Sequence, residues 1–227
     1  MTAHDSILRR VPNALTLLRL VLAAAFFAAL NAYRFPDTNP TWALIAVIIF
    51  IIAGFTDFLD GHLARRWEAT TTFGRIMDPF CDKVLILGAF IYLAGPRFIE
   101  PEWVEQGSFF TMATGVYPWM VVVLFAREML VTTIRGLVEA EGIPFAAQGP
   151  GKMKMLFQSL TIPLVILLTV YGHPDTNPAV MWTMHAFVYG TVIITIGSGI
   201  PYVIGLGAVL KKDRTPGSQT PGKEGDR

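Results

Sequence analysis

The sequence has little charge, a single cysteine and four histidines. Charged residues make up 15% of the 227 residues and hydrophobic residues 53%, which is too apolar for a soluble domain of this length and predicts a membrane protein. Cys81 cannot form an internal disulfide and is most simply a small packing residue. The histidines are scattered and predict no metal cluster. The net charge of +1 gives no support for nucleic-acid binding.

Apolar runs of roughly 20 residues, long enough to cross a bilayer as helices, dominate the chain. They can be read at about 14–33, 42–62, 77–95, 117–138, 155–172 and 181–209. We therefore predict an all-α, polytopic membrane protein with six transmembrane helices. Residues 1–13 would form a juxtamembrane segment, 14–210 the six-helix domain and 211–227 a disordered tail rich in Pro, Gly, Ser and charge. The first run lacks a convincing cleavage site, so we expect it to remain as the first span.

The cations are unevenly distributed between the two sides of the membrane that six spans would define. If both termini lie on one side, that side carries Arg9, Arg10, Arg65, Arg66, Arg75, Lys152, Lys154, Lys211, Lys212 and Arg214. The other side keeps only Arg34 and Arg97. Because cytoplasmic loops carry an excess of Lys and Arg, this pattern predicts that both termini are cytoplasmic.

Four aspartates stand out in these apolar segments: Asp57, Asp60, Asp78 and Asp82. At about 100° per residue, the first two lie roughly 60° apart on one helix and the last two roughly 40° apart on another. Four ionised carboxylates facing each other there would repel and would each lose hydration worth several kcal/mol. Oxygen ligands without a Cys or His cluster suit Mg²⁺ or Mn²⁺, and four carboxylates can hold two such ions about 4 Å apart. The pattern predicts a site with two divalent cations.

The residues around the aspartates indicate what the cations would bind. Gly61, Ala64 and Gly74 have no side chain or only a methyl group, so a flat group could approach the helix backbone at these positions. Arg65 offers a planar guanidinium suited to phosphate oxygens. Together with divalent ions, these features favour a pyrophosphate with something flat attached.

The whole pattern resembles the signature of the CDP-alcohol phosphotransferase family. It matches at each specified position of Asp57-x2-Asp60-Gly61-x2-Ala64-Arg65-x8-Gly74-x3-Asp78-x3-Asp82. The resemblance implies a six-helix membrane enzyme, commonly a homodimer, in which 14–210 is the catalytic domain. It also implies metal binding by the four aspartates and a role for Asp82 as the general base. The implied nucleotide and CDP-diacylglycerol contacts are Asn13, Thr16, Gly61, Ala64, Arg65, Thr71 and Gly74.

Other stretches resemble the phosphatidylglycerophosphate synthase branch of this family. They are the segment from Val11 to Arg19, the triplet Ala126-Arg127-Glu128 followed by Arg135, and Gly151-Lys152-x-Lys154. Arg127, Arg135 and Lys152 would hold a phosphate-bearing acceptor. The resemblance implies phosphatidyl transfer from CDP-diacylglycerol to glycerol 3-phosphate in phospholipid biosynthesis, in a bacterial inner membrane with a cytoplasmic active site.

Several alternatives remain open at this point. The acceptor could be inositol phosphate, serine, or phosphatidylglycerol as in a cardiolipin synthase. A different class, an ion or proton transporter, would also use intramembrane carboxylates, although at mid-membrane on broken helices. The small residues could serve helix packing, and the acceptor cations could be membrane anchors. Asn13 and Thr16 could cap a helix start, and Arg19 could extend towards the headgroups.

Overall fold

The structure, a computed structural model, describes residues 3–36, 39–66, 72–140 and 149–213. These residues form α1 (Ala3–Ala32), α2 (Thr41–Arg66), α3 (Thr72–Leu93), a short α4 (Pro101–Glu105), α5 (Pro118–Ala140), α6 (Gly149–Tyr171) and α7 (Pro178–Asp213). Within the described ranges there is no strand, only an isolated antiparallel bridge between Ile99 and Met112. The all-α prediction is confirmed.

The long helices coincide with the six predicted apolar runs. By length and composition, three described stretches can cross a membrane: Ala14–Ala32, Met153–Tyr171 and Pro178–Leu206, with Thr41–Asp57 as a shorter apolar helix. The charges in α3 and α5 lower the hydropathy of those two helices. Large apolar side chains remain exposed on helix surfaces, among them Phe55 at 63% and Ile193 at 66%. Because soluble proteins rarely expose so much apolar surface, these features are those of an integral membrane protein.

The helix α3 packs against three other helices of the bundle. α1 packs on α2 and α3, and α7 packs on α5 and α6. α3 also contacts α5 and α6, while α2 contacts α6. A large apolar core fills the interior, with Phe26 and Phe50 in ring contact at 5.4 Å between centroids. Any polar group on the inner face of α3 therefore lies where several helices meet.

The links between helices are partly ordered by hydrogen bonds. The link between α3 and α5 contains a 3₁₀ turn at Pro96–Phe98 and the helix α4. The Ala113 backbone N–H donates to the Phe98 carbonyl at 2.8 Å, which joins the two ends of this link. At the chain ends, α1 already begins at Ala3, and α7 continues to Asp213, into the segment predicted as a tail. The remainder of that tail, 214–227, lies outside the described residues.

Candidate active site

Arg19 and three of the four predicted aspartates form one charged cluster between α1, α2 and α3. The Nη1 atom of Arg19 lies 2.9 Å from an Asp57 oxygen, 3.7 Å from an Asp82 oxygen and 4.0 Å from an Asp78 oxygen. The Arg19 side chain has no exposed surface, whereas the three carboxylates keep 26% (Asp57), 42% (Asp78) and 35% (Asp82). Carboxylates from two helices therefore face one point beside a buried cation.

Local sequence spacing explains this convergence. Asp78 and Asp82 are one turn apart, so they share a face of α3. Thr16 and Arg19 are also one turn apart on α1, and the Thr16 hydroxyl donates to an Asp78 oxygen at 2.7 Å. Gly74, one turn before Asp78, is buried.

The structure decides two of the alternatives left open by the sequence. Thr16 lies well inside α1, so the interpretation of Thr16 as a helix cap is wrong. Asn13 is likewise inside the helix and not at its start. Arg19 is buried against Asp57, so it does not extend towards the headgroups. The reason is electrostatic: burying an unpaired guanidinium is costly, and the aspartates provide its counter-charge.

The donor chemistry of the cluster fits a hard divalent cation. Its ligating atoms are carboxylate oxygens, which Mg²⁺ and Mn²⁺ prefer. Among the side chains that the structure describes, no group of three potential ligands is arranged to hold an ion directly. The Asp60 side chain lies outside that description, so the set of four ligands remains a prediction.

A cavity of about 530 Å³ opens beside Asp82, between α3, α5, α6 and α7. Its wall includes the predicted base, Asp82, and two of the predicted acceptor-binding residues, Arg127 and Arg135. Its other polar or charged lining residues are Lys83, Glu128, Thr132, Lys154, Gln158 and Tyr202. The cavity therefore has a carboxylate at one position on its wall and several cations at others, as a site for a phosphorylated alcohol requires.

Glu128 organises two of these cations. Its buried carboxylate accepts a hydrogen bond from Arg127 Nη1 at 2.9 Å and another from Lys154 Nζ. Lys83 is held separately, because its ammonium donates to the Thr132 hydroxyl at 2.6 Å. Glu128, Lys83 and Lys154 were not predicted as site residues. The available signal was position: Glu128 and Lys154 lie within the motifs that contain Arg127 and Lys152, and Lys83 follows Asp82.

Both cavity arginines retain a buried donor that no described group satisfies. The Nε atoms of Arg127 and Arg135 have no hydrogen-bond partner within the described part of the chain. Leaving such a donor unpaired costs free energy, and an arginine presents its donors in a planar fork that matches phosphate oxygens. Because the cavity wall carries four cations, the two arginines with Lys83 and Lys154, against the two carboxylates of Asp82 and Glu128, it is suited to bind an anion.

The other predicted site residues belong to the signature segment, to α1 and to the start of α6. Thr71 falls outside the described residues, and so do the side-chain positions of Asn13, Asp60, Gly61, Ala64, Arg65 and Lys152. Their roles remain predictions. The backbones of α2 and α3 nevertheless carry most of the signature segment, directly beside the cluster at Asp57 and Asp78.

The comparisons with known proteins all indicate the same family. A sequence model described as CDP-alcohol phosphatidyltransferase matches residues 9–196. The chain is 32% identical over 164 residues to the CDP-diacylglycerol--glycerol-3-phosphate 3-phosphatidyltransferase of Bacillus subtilis (strain 168), covering 69% of this chain and 76% of that protein. It is 30% identical over 195 residues to the protein of the same name from Haemophilus influenzae, covering 85% and 91%. It is 33% identical over 195 residues to the "Probable phosphatidylglycerophosphate synthase" of Mycobacterium tuberculosis (H37Rv), covering 84% and 78%.

These matches run across the carboxylate cluster and most of the cavity wall, from α1 into α7. They confirm the resemblance that the aspartate signature indicated. The chain belongs to the CDP-alcohol phosphatidyltransferase family of membrane transferases.

Proposed function

We propose that the protein transfers the phosphatidyl group of CDP-diacylglycerol to sn-glycerol 3-phosphate, giving phosphatidylglycerophosphate and CMP. The observation that carries this proposal is the cavity in which Asp82 shares a wall with Arg127 and Arg135. Four cations and two carboxylates line this cavity, so its wall has a net positive charge. The names of the relatives supply the two substrates.

In the proposed reaction, the acceptor phosphate binds Arg127, Arg135 and Lys152, and the 1-hydroxyl of glycerol 3-phosphate points to Asp82. Asp82 takes the hydroxyl proton while the alcohol oxygen attacks the lipid-side phosphorus. The new oxygen–phosphorus bond forms as the bond from that phosphorus to the CMP oxygen breaks. Such transfers depend mainly on positioning and on stabilising charge, which a buried cavity with fixed cations can provide.

The donor side of the site uses the aspartate signature. The family generally depends on divalent cations, which when bound neutralise charge on the diphosphate. Two Mg²⁺ or Mn²⁺ ions would be held by Asp57, Asp60, Asp78 and Asp82. Asn13, Thr16, Gly61, Ala64, Arg65, Thr71 and Gly74 would contact the nucleotide and diphosphate. The hydrogen bond from Thr16 to Asp78 orients one of the metal-binding carboxylates.

The membrane arrangement follows from the helix count and the cations. Six spans with cytoplasmic termini would place the aspartate cluster at the inner face of the bacterial cytoplasmic membrane. CDP-diacylglycerol would then enter sideways from the lipid, and glycerol 3-phosphate from the cytosol. The homodimer remains a proposal based on the family resemblance.

The deciding experiment measures CMP release by the purified protein in detergent with Mn²⁺ and CDP-diacylglycerol. Glycerol 3-phosphate, inositol phosphate, serine and phosphatidylglycerol are supplied in parallel reactions. We expect release with glycerol 3-phosphate only, because it is the acceptor named for the relatives. Serine, in addition, carries no phosphate to bind the cations of the cavity wall. Equal or faster release with another acceptor would contradict the proposal. No release with any of the four acceptors would also contradict the proposal.

A further inference from the structure

One face of α7 carries a buried line of polar residues. Thr191, Thr195, Ser198 and Tyr202 are spaced three or four residues apart, so they share a helix face. Each is at most 3% exposed. In an otherwise apolar helix, buried polar groups at this spacing indicate a specific contact with neighbouring helices.

The two halves of this line have different partners. In the half nearer the start of α7, the Thr191 hydroxyl lies 2.8 Å from the Thr161 hydroxyl, and Gln158 Nε2 donates to the Thr195 hydroxyl at 3.2 Å. These are contacts between α6 and α7 that join uncharged side chains.

The other half contacts the two cavity arginines. Arg127 Nη2 donates to the Ser198 hydroxyl at 2.9 Å and lies 3.3 Å from the Ser198 carbonyl oxygen. Arg135 Nη2 donates to the Tyr202 hydroxyl at 3.2 Å, and its guanidinium carbon lies 5.8 Å from the centre of the Tyr202 ring. Tyr202 is itself fixed by apolar contacts with Val131, Ile134 and Val138. One turn of α7 therefore holds both guanidinium groups.

We propose that Ser198 and Tyr202 are positioning residues that orient Arg127 and Arg135 for the phosphate of the acceptor. This inference rests on the proposed function. A long arginine side chain has many rotamers, and holding one Nη atom fixes the plane of its guanidinium group. The part of each arginine that lines the cavity then remains for the ligand. Support of this kind affects acceptor binding without touching the reacting atoms.

The test compares steady-state kinetics of Ser198→Ala and Tyr202→Phe with the wild type. Losing one orienting hydrogen bond is expected to raise KM for glycerol 3-phosphate about fivefold in each variant. We expect kcat and KM for CDP-diacylglycerol to stay within about twofold. Thr191→Ala is the matched control, since Thr191 lies on the same buried face but contacts Thr161 instead of an arginine. Its acceptor KM should equal that of the wild type.

Further outcomes separate this inference from the proposed function. Arg135→Ala is measured alongside, and it should raise acceptor KM more than Tyr202→Phe does. If Arg135→Ala raises that KM while Ser198→Ala and Tyr202→Phe do not, the positioning role is wrong and the phosphate-binding role stands. If Arg135→Ala, Ser198→Ala and Tyr202→Phe raise the acceptor KM by the same factor as Thr191→Ala does, the increase reflects general helix packing. That result also overturns the inference. If Tyr202→Phe does not purify in a folded form, Ser198→Ala decides alone. If the wild-type protein releases no CMP with glycerol 3-phosphate, both proposals are overturned.

Discussion

Replacing Arg19 by Gln should destabilise the protein, and divalent cations should reverse much of the loss. Arg19 is fully buried, and three aspartate oxygens lie within 4.0 Å of its Nη1 atom. Removing one partner of a buried ion pair costs about 3–5 kcal/mol. Because these carboxylates are 26–42% exposed, water compensates part of that cost, and we expect a net loss of about 2–3 kcal/mol. For a chain of this size, that corresponds to a fall of roughly 5–10 °C in the melting midpoint.

The assay is thermal unfolding of purified protein in detergent, with EDTA or with saturating Mn²⁺. Without Arg19, the aspartates repel one another in EDTA, and a bound dication relieves that repulsion. We therefore expect Mn²⁺ to raise the midpoint of Arg19→Gln by more than it raises that of the wild type. Arg34→Gln is the control, because Arg34 is an exposed arginine just after the same helix. If Arg19→Gln and Arg34→Gln unfold together, and Mn²⁺ shifts both equally, the electrostatic reasoning is refuted.

The remaining predictions concern the two sides of the site. Asp82→Asn should fold normally but release no CMP, and wild-type turnover would remove Asp82 as the base. Thr16→Val, which loses the hydrogen bond to Asp78, should need about five- to tenfold more Mn²⁺ for half-maximal rate, whereas Thr16→Ser should not. Glu128→Gln removes the buried counter-charge of Lys154 and Arg127, and should lower the free energy of unfolding by about 2–4 kcal/mol. An unchanged midpoint for Glu128→Gln would show that this ion pair contributes nothing to stability.

The helices could be predicted because a bilayer imposes a simple length requirement. Apolar runs near 20 residues must form helices there, since the backbone has no other hydrogen-bond partners. The six runs read from the sequence each coincide with a long helix. The path of the link after α3 was harder to predict, because it is set by hydrogen bonds between residues distant in sequence, such as that from Ala113 to Phe98.

The aspartate signature was also readable, since spacing on a helix fixes which carboxylates share a face. Asp78 and Asp82 do share one, beside Asp57. The place of Arg19 was not readable in this way. A cation inside an apolar run can extend to the headgroups or pair with an acid on another helix, and only helix packing chooses between them.

By itself, the sequence determined that this chain is a helical membrane protein, which family it resembles and which aspartates carry the signature. Those properties depend on composition and on spacing along single helices. Only the tertiary structure decided that Arg19 lies among the aspartates and that Glu128 joins Arg127 to Lys154. It alone decided that one turn of α7 supports both cavity arginines. The physical reason is that all of these contacts except the one between the neighbours Arg127 and Glu128 join different helices, whose relative rotation and depth are set by packing of the whole core.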